Sequence, residues 1–343
     1  MAREQYPDAP REELRPASGR QRFSRHALVV GPEVDVEEIE CLALSRFPGA
    51  RWLVTADDVA AGVLRLNRHT HLAGPYAPGG PLRGEDRAGV YDVACPRERG
   101  DAPHAEQSDR DGLARTFPDG LPVREEDRVV QWLVAAARRL HASVVVDVDG
   151  AQRVLTPDPA ARIDLTVFSD VWLAPEAALA VVRDVDRRAT WAPGGVPWAG
   201  PPANSVVATL AQVPRLEDDV RALVHQRAED ADIEALTSDE APTGYAIHLD
   251  LHDDGLLAIE IGGEESVPTS LRGLPWADGG AVAYRVRWYP ADDDLEDERP
   301  PLAHRVARGR AAPRLGAVTA ALHRAVGGEV VDEAEFLVAP EDL

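Results

Sequence analysis

The chain has 343 residues, a formal net charge of −22 and no lysine; all 37 of its basic residues are arginine. The missing lysine excludes a Walker-A phosphate loop, a protein-kinase ATP site, Ser-x-x-Lys acyl transfer and a pyridoxal Schiff base. The acidic balance argues against a nucleic-acid or anionic-membrane partner, since the summed field repels polyanions.

Taken in chain order, residues 1–25 are polar and proline-containing and read as a mobile tail without the apolar core of a signal peptide. His26–Val30 is a short apolar strand. Val36–Phe47 has helical spacing, with Glu37 and Glu38 in the first turn, and Pro48-Gly49 ends it. Cys41 lies on that pattern and reads as a small buried hydrophobe. With Cys95 it makes two unpatterned cysteines, which form no disulfide framework. Arg51–Thr55 reads as a strand, and Thr55 can cap a helix from Asp57 to about Asn67. Residues 67–89 hold five Gly and three Pro and read as a long loop, as do residues 95–122.

Val123–His141 is the clearest helix, acidic at its start and basic at its end. Val129, Trp132, Leu133, Ala136 and Leu140 share one face. Val144–Val148 follows as a strand, Asp149-Gly150 has the composition of a type I′ hairpin turn, and Arg153–Leu155 returns. Ile163–Leu173 is extended, and Pro175 opens a helix to Arg183. The helix from Val36 is followed by Ala-Arg-Trp52 and the helix from Pro175 by Ala-Thr-Trp191, at the same offset. Two βαβ-like units would explain this echo.

Residues 191–204 have the composition of a linker. Beyond them, Leu216–Ala228 reads as a helix and Tyr245–Leu251 as an alternating strand. Asp253-Asp254-Gly255 turns the chain, and Leu256–Ile261 returns. Ala281–Tyr289 is another strand, and residues 292–298 form an acidic loop. Arg305, Arg308, Arg310 and Arg314 form a basic run over a loop and helix start. The helix itself is expected from Arg314 to Val326, before a last strand at Val330–Val338. The sum is an α+β fold of two tandem mixed units, with mostly antiparallel sheets and helices on one face. The expected boundaries are a tail at 1–25, one unit at 26–190, the linker at 191–204 and a second unit at 205–343. No apolar stretch is long enough to span a bilayer, which points to a cytoplasmic protein.

Three constellations carry chemistry. His248, Asp250 and His252 alternate on one strand, so two imidazoles and a carboxylate share a face. These are ligand types for a divalent metal and would suit a metal-dependent hydrolase. His69 and His71 form a loop His-x-His that could add ligands. Val144-Val-Val-Asp147-Val-Asp149-Gly150 resembles the nucleophile motif of haloacid-dehalogenase-like phosphotransferases. That resemblance implies Asp147 as nucleophile, Asp149 as general acid/base and Asp253-Asp254 as help for Mg²⁺. It covers seven residues, and Ala151 departs from the Thr or Val usual after the Gly. Finally, Trp191, Trp198 and Trp276 lie in Pro/Gly-rich stretches and can anchor a protein partner. The leading expectation is a non-catalytic binding protein, with the hydrolase and then the phosphotransferase as alternatives.

Overall fold

The computed structural model describes residues 23–57, 60–77, 89–104, 109–192, 244–291 and 298–343. They form two seven-stranded antiparallel sheets with helices packed on one face of each, an α+β fold as the sequence predicts. The first sheet contains β1 (Phe23–Val30), β2 (Arg51–Val54), β3 (Gly62–Arg65), β4 (His71–Tyr76), β5 (Gly89–Pro96), β6 (Ser143–Val148) and β7 (Ala151–Leu155). Helices α1 (Val36–Arg46) and α3 (Arg124–Arg139) cover it, and the short α2 (Leu113–Thr116) precedes α3. The second sheet contains β8 (Leu165–Ser169), β9 (Thr190–Trp191), β10 (Gly244–Asp250), β11 (Leu256–Glu264), β12 (Ala281–Tyr289), β13 (Glu329–Asp332) and β14 (Leu337–Val338). Helices α4 (Pro175–Val185) and α5 (Leu302–Val326) cover that one.

The two sheets are copies of one topology. The first runs β2-β3-β4-β5-β1-β6-β7 and the second, read from its other edge, runs β9-β10-β11-β12-β8-β13-β14. The n-th strand of one unit takes the place of the n-th strand of the other. The registers agree as well. Leu28 lies between Tyr91 and Val144, and Val167 lies between Tyr284 and Val330. All six residues are buried. Helices α1 and α4 both have 11 residues. They start 139 positions apart, at Val36 and Pro175, the spacing that also separates Trp52 from Trp191. The echo in the sequence is therefore a structural duplication, with the pattern of a repeat architecture at a long period.

Local chemistry accounts for each unit. An Asp35 capping box opens α1: the Asp35 carboxylate accepts from the Glu38 N–H at 2.8 Å, and Glu38 accepts from the Asp35 N–H at 3.1 Å. Trp132 of α3 is fully buried, packs edge-on against Phe47 at 5.7 Å and donates to the Leu42 carbonyl at 2.9 Å. Asp149 and Gly150 have φ of 54° and 87°, as a type I′ hairpin requires.

Several expected elements differ. The first strand starts at Phe23 rather than His26. The helix expected over 57–67 is strand β3: a Cβ on Gly62 would lie 2.5 Å from the Ala56 nitrogen and the Val54 oxygen, so glycine permits this close return of the chain. The 67–89 loop contains strand β4, whose register shifts between Ala73 and Tyr76 and so absorbs Gly74 and Pro75. Cys41 is exposed, whereas Cys95 is buried. Helix α5 begins at Leu302, twelve residues before Arg314, and passes through Pro313; buried Ala307, Ala311, Leu315, Val318 and Leu322 hold it to the sheet on both sides of the proline. The arginine run 305–314 therefore lies on that helix. The run 165–190, grouped with the first unit by sequence, belongs to the second: β8 and β9 are strands of the second sheet and α4 packs on it. The expected helix at 216–228, residues 193–204 of the linker and residues 292–297 of the acidic loop lie outside the described residues.

One feature breaks the repeat. The turn between β6 and β7 is Asp149-Gly150, but its counterpart between β13 and β14 spans 333–336. This longer turn carries Phe336, 1% exposed, into the core of the first unit, with Ala334 beside it. Asp332 shapes the turn by accepting from the Ala334 and Phe336 N–H groups, both at 2.9 Å. Glu335 pairs with Arg46 of α1 at 3.1 Å. The two repeats are thus packed together.

Candidate cleft between the repeats

The plugging turn leaves a cleft of about 710 Å³ beside it. Helices α3 and α5, which hold corresponding places in the two repeats, form its walls, and the ends of β8 and β13 form its floor. Arg138 from α3, Arg162 and Asp164 from the connector, Asp332 from β13 and Glu333 from the turn line it. A second cavity of about 630 Å³ shares Asp164, Asp332 and Glu333. A third, of about 360 Å³, shares Arg162 and Glu333.

Ionic contacts tie the lining together. Asp111 pairs with Arg138 and, at 3.5 Å, with Arg162. Glu333 pairs with Arg162 and, at 3.5 Å, with Arg110. Burial shifts the protonation of several groups. It pushes the Asp164 carboxyl up to about 6, and Glu333 adds to the push. The hydrogen bond that Asp164 accepts from the Trp288 N–H, at 2.9 Å, pulls the other way. Burial raises Asp332 against the two turn N–H groups. It also lowers Arg138, with Arg162 helping and Asp111 opposing.

The site residues predicted from sequence are placed elsewhere. His248 is half-buried on β10, which ends at Asp250. The chain then turns into a 3₁₀ segment at His252–Asp254, where His252 has φ 59°. The alternation expected through residue 252 is therefore broken. Asp250 accepts from the His252 N–H at 2.7 Å and stands 3.6 Å from its ring, with both side chains 70% exposed. The three residues are not gathered into a ligand set. His71 opens β4, and His69 is in the preceding turn.

Asp147 and Asp149 lie in an antiparallel hairpin. Asp147 accepts from the Gly150 N–H at 2.8 Å, and Asp149 pairs with Arg97. The seven-residue resemblance to the phosphotransferase motif is thus accounted for by a turn. Trp191 and Trp172 are 41% and 40% exposed and both contact Tyr245 edge-on, at 6.2 and 5.5 Å. Trp276 is half-buried against the other face of the second sheet. Trp198 lies outside the described residues.

Among the described residues, one trio of ligand-type side chains comes within 4.8 Å: His26, Cys95 and Glu126, all buried. Its geometry does not fit a metal. The Asp147 N–H donates to His26 Nδ1 at 3.2 Å, so the ring proton sits on Nε2 and is shared with Glu126 Oε1 at 3.3 Å. An ion on Nε2 would need a ring deprotonated at both nitrogens, whereas metal-bound histidines keep a donor on the other side. Glu126 Oε2 accepts from the Glu98 N–H at 2.7 Å and pairs with Arg99. Burial alone would raise the Glu126 carboxyl, but its contacts with His26, Arg99 and the Glu98 N–H outweigh that and hold it low. Burial and the Glu126 charge push the Cys95 thiol up, which leaves it a poor nucleophile.

Sequence reasoning missed both the trio and the cleft. Their residues are far apart in the chain, and Glu125 and Glu126 carry only the ordinary acidic signature of a helix start. Compared with protein-family models, with curated proteins and with solved structures, the chain matches none.

Proposed function

We propose that this protein is a non-catalytic binding protein whose ligand occupies the cleft between its two repeats. The observation that carries this reading is the concentration of perturbed ionisable groups in one concave site. Asp164, Asp332 and Arg138 all line the 710 Å³ cleft where the repeats meet. Seams between packed units are favoured places for ligand pockets, and clustered perturbed side chains mark functional sites. The lining favours binding over group transfer. Among the described residues, the lining has no serine, threonine, cysteine or tyrosine. The Oδ1 of Asp332 is taken by the N–H groups of its own turn.

Gly316 of α5 lines the cleft, and a Cβ there would meet only the Leu343 carbonyl carbon, at an ordinary 3.5 Å. Gly316→Trp fills the cleft from a position with room for a side chain. Thermal melting of the wild type and this variant against a panel of small metabolites tests the proposal. Compounds that raise the wild-type midpoint should lose their effect in the variant while its circular dichroism stays the same. Identical responses in the two proteins would overturn the reading.

A further inference from the structure

We infer that Trp172 and Trp191, with Tyr245 between them, form a docking surface for an arginine-bearing basic segment of a partner protein. Both indoles are exposed, and their planes stand at 83° and 79° to the phenol ring. None of the three rings lines the cleft or the two cavities beside it. The loop that carries Trp172 is fixed on both sides of the indole. Tyr284, fully buried on β12, donates its hydroxyl to the Val171 carbonyl at 2.8 Å and accepts from the Leu173 N–H at 2.9 Å. Tyr245 donates to the Leu173 carbonyl at 2.7 Å. Ser169 Oγ accepts from the Val171 N–H at 3.1 Å and donates to the Val326 carbonyl at 2.8 Å. A ring of this size held in water on a rigid loop forgoes the stabilisation of burial. Pre-organised exposed aromatic groups of this kind serve as anchors in interfaces.

Charge selects the partner. Asp170 and Glu176 flank Trp172 along the chain, both are exposed, and neither has an ion-pair or hydrogen-bond partner among the described residues. Burial pushes the Tyr245 hydroxyl up, and Glu176 is close enough to add to the push. The stretch 170–191 carries four acidic residues against three arginines. Two of those arginines are engaged beyond the middle of α4: Arg183 donates to the Ala189 carbonyl, and Arg188 pairs with Asp186. Elsewhere the protein places guanidinium groups on rings, with Arg99 over Phe117 and Arg128 over Phe47, each at 4.7 Å. Among the described residues no arginine lies over Trp172 or Trp191. Trp is a better partner for a cation than Phe, so the stronger sites are the ones left open. A planar guanidinium can stack on an indole while its N–H groups pair with a carboxylate, which an ammonium does not match. A net charge of −22 draws basic chains toward the surface. An open patch outside these cavities leaves a free small cation largely wet, whereas a larger chain covers the patch and excludes water.

The probes are a fluorescein-labelled Gly-Arg repeat peptide and its Gly-Lys counterpart, followed by fluorescence anisotropy. They are titrated with the wild type, Trp172→Ala, Glu176→Gln and Asp119→Asn. Asp119 is an exposed acid of the first repeat and controls for net charge. The arginine peptide should bind the wild type about fivefold more tightly than the lysine peptide. It should lose about fivefold in Trp172→Ala and at least about twofold in Glu176→Gln, and bind Asp119→Asn as it binds the wild type; a factor of five corresponds to about 1 kcal/mol. If Trp172→Ala loses its native circular dichroism, the comparison of Glu176→Gln with Asp119→Asn decides. Equal affinity for the two peptides, no loss in a folded Trp172→Ala, or equal losses in Glu176→Gln and Asp119→Asn would mean that net charge alone attracts the peptide, and would overturn the inference. So would displacement of the peptide by tetramethylammonium, which assigns the patch to a small cation. A wild-type dimer that becomes a monomer in Trp172→Ala, seen by sedimentation, would assign the patch to a second copy and overturn it as well.

Discussion

Trp52 and Trp191 occupy one position in two copies of the same sheet: Trp52 lies opposite Leu64 on the neighbouring strand, and Trp191 lies opposite Ile247. Leu64 and Ile247 are themselves equivalent and fully buried. The surroundings of the two tryptophans have diverged. Trp52 packs against the first core. Trp191 is 41% exposed and rests its edge on Tyr245. Trp52→Ala should therefore cost more stability than Trp191→Ala, on the order of 2–3 kcal/mol against about 1, in line with the area each removes from contact. Urea denaturation of the two variants measures this. A larger loss at Trp191 would show that the exposed ring carries the repeat.

Phe336 belongs by chain to the second repeat and by packing to the first. Deleting its ring leaves a cavity in the first core, so Phe336→Ala should cost about 3–5 kcal/mol. Because the residue joins the units, the variant should also loosen their coupling. The wild type should unfold in one transition and the variant in two. A single transition with an unchanged midpoint would mean that the turn only rests on the first core.

What could be read from the sequence depended on how local each signal was. The Asp149-Gly150 turn was legible because two consecutive positive φ values demand that dipeptide. The helix at Arg124–Arg139 was legible because its apolar face and end charges agree. The duplication left a trace in Trp52 and Trp191, but buried positions had changed identity while keeping their place, as Ile39 and Ala178 did. Strand β4 was hidden because Gly74 and Pro75 sit within it and both weaken a strand pattern. Helix α5 was cut short because Pro313 reads as a boundary until tertiary packing is known. The cleft was not legible at all. Its groups come from positions between 111 and 343, and in a chain with 59 acidic residues no carboxylate stands out by type.

The His26–Glu126–Arg99 network makes a prediction about charge. Glu126 is fully buried and is the ionic partner of Arg99, whose side chain is 15% exposed. Glu126→Gln keeps the shape and leaves the guanidinium without its counter-ion, which should cost about 3–5 kcal/mol. Since His26 Nδ1 is occupied by the Asp147 N–H, neither added Zn²⁺ nor a chelator should move the wild-type melting midpoint. A rise with stoichiometric Zn²⁺ that disappears in His26→Ala would reverse this assignment.

Asp164 makes the stability of the protein depend on pH in an unusual direction. The groups that face it are Glu333 from the turn, Arg287 and the Trp288 N–H from β12, and Arg110. Its carboxyl titrates at about 6 when folded, against an ordinary 3.8. The folded state therefore holds this proton more tightly than the unfolded state does. Below about 4 both states are protonated and the group costs nothing. As pH rises from 4 to 6 the unfolded chain ionises while the folded one does not, so stability falls. Above about 6 the loss is complete, and two pH units correspond to about 3 kcal/mol. Asp164→Asn removes the buried charge and keeps an oxygen for the Trp288 N–H. The variant should match the wild type near pH 4 and exceed it by roughly 2–3 kcal/mol at pH 8. Asp332, raised in the same direction, should leave a smaller slope of the same sign in the variant. Urea denaturation at intervals from pH 4 to pH 8 gives both curves. Parallel curves would mean that Asp164 is solvated in the folded protein, and that the cleft it lines is wetter than its packing indicates.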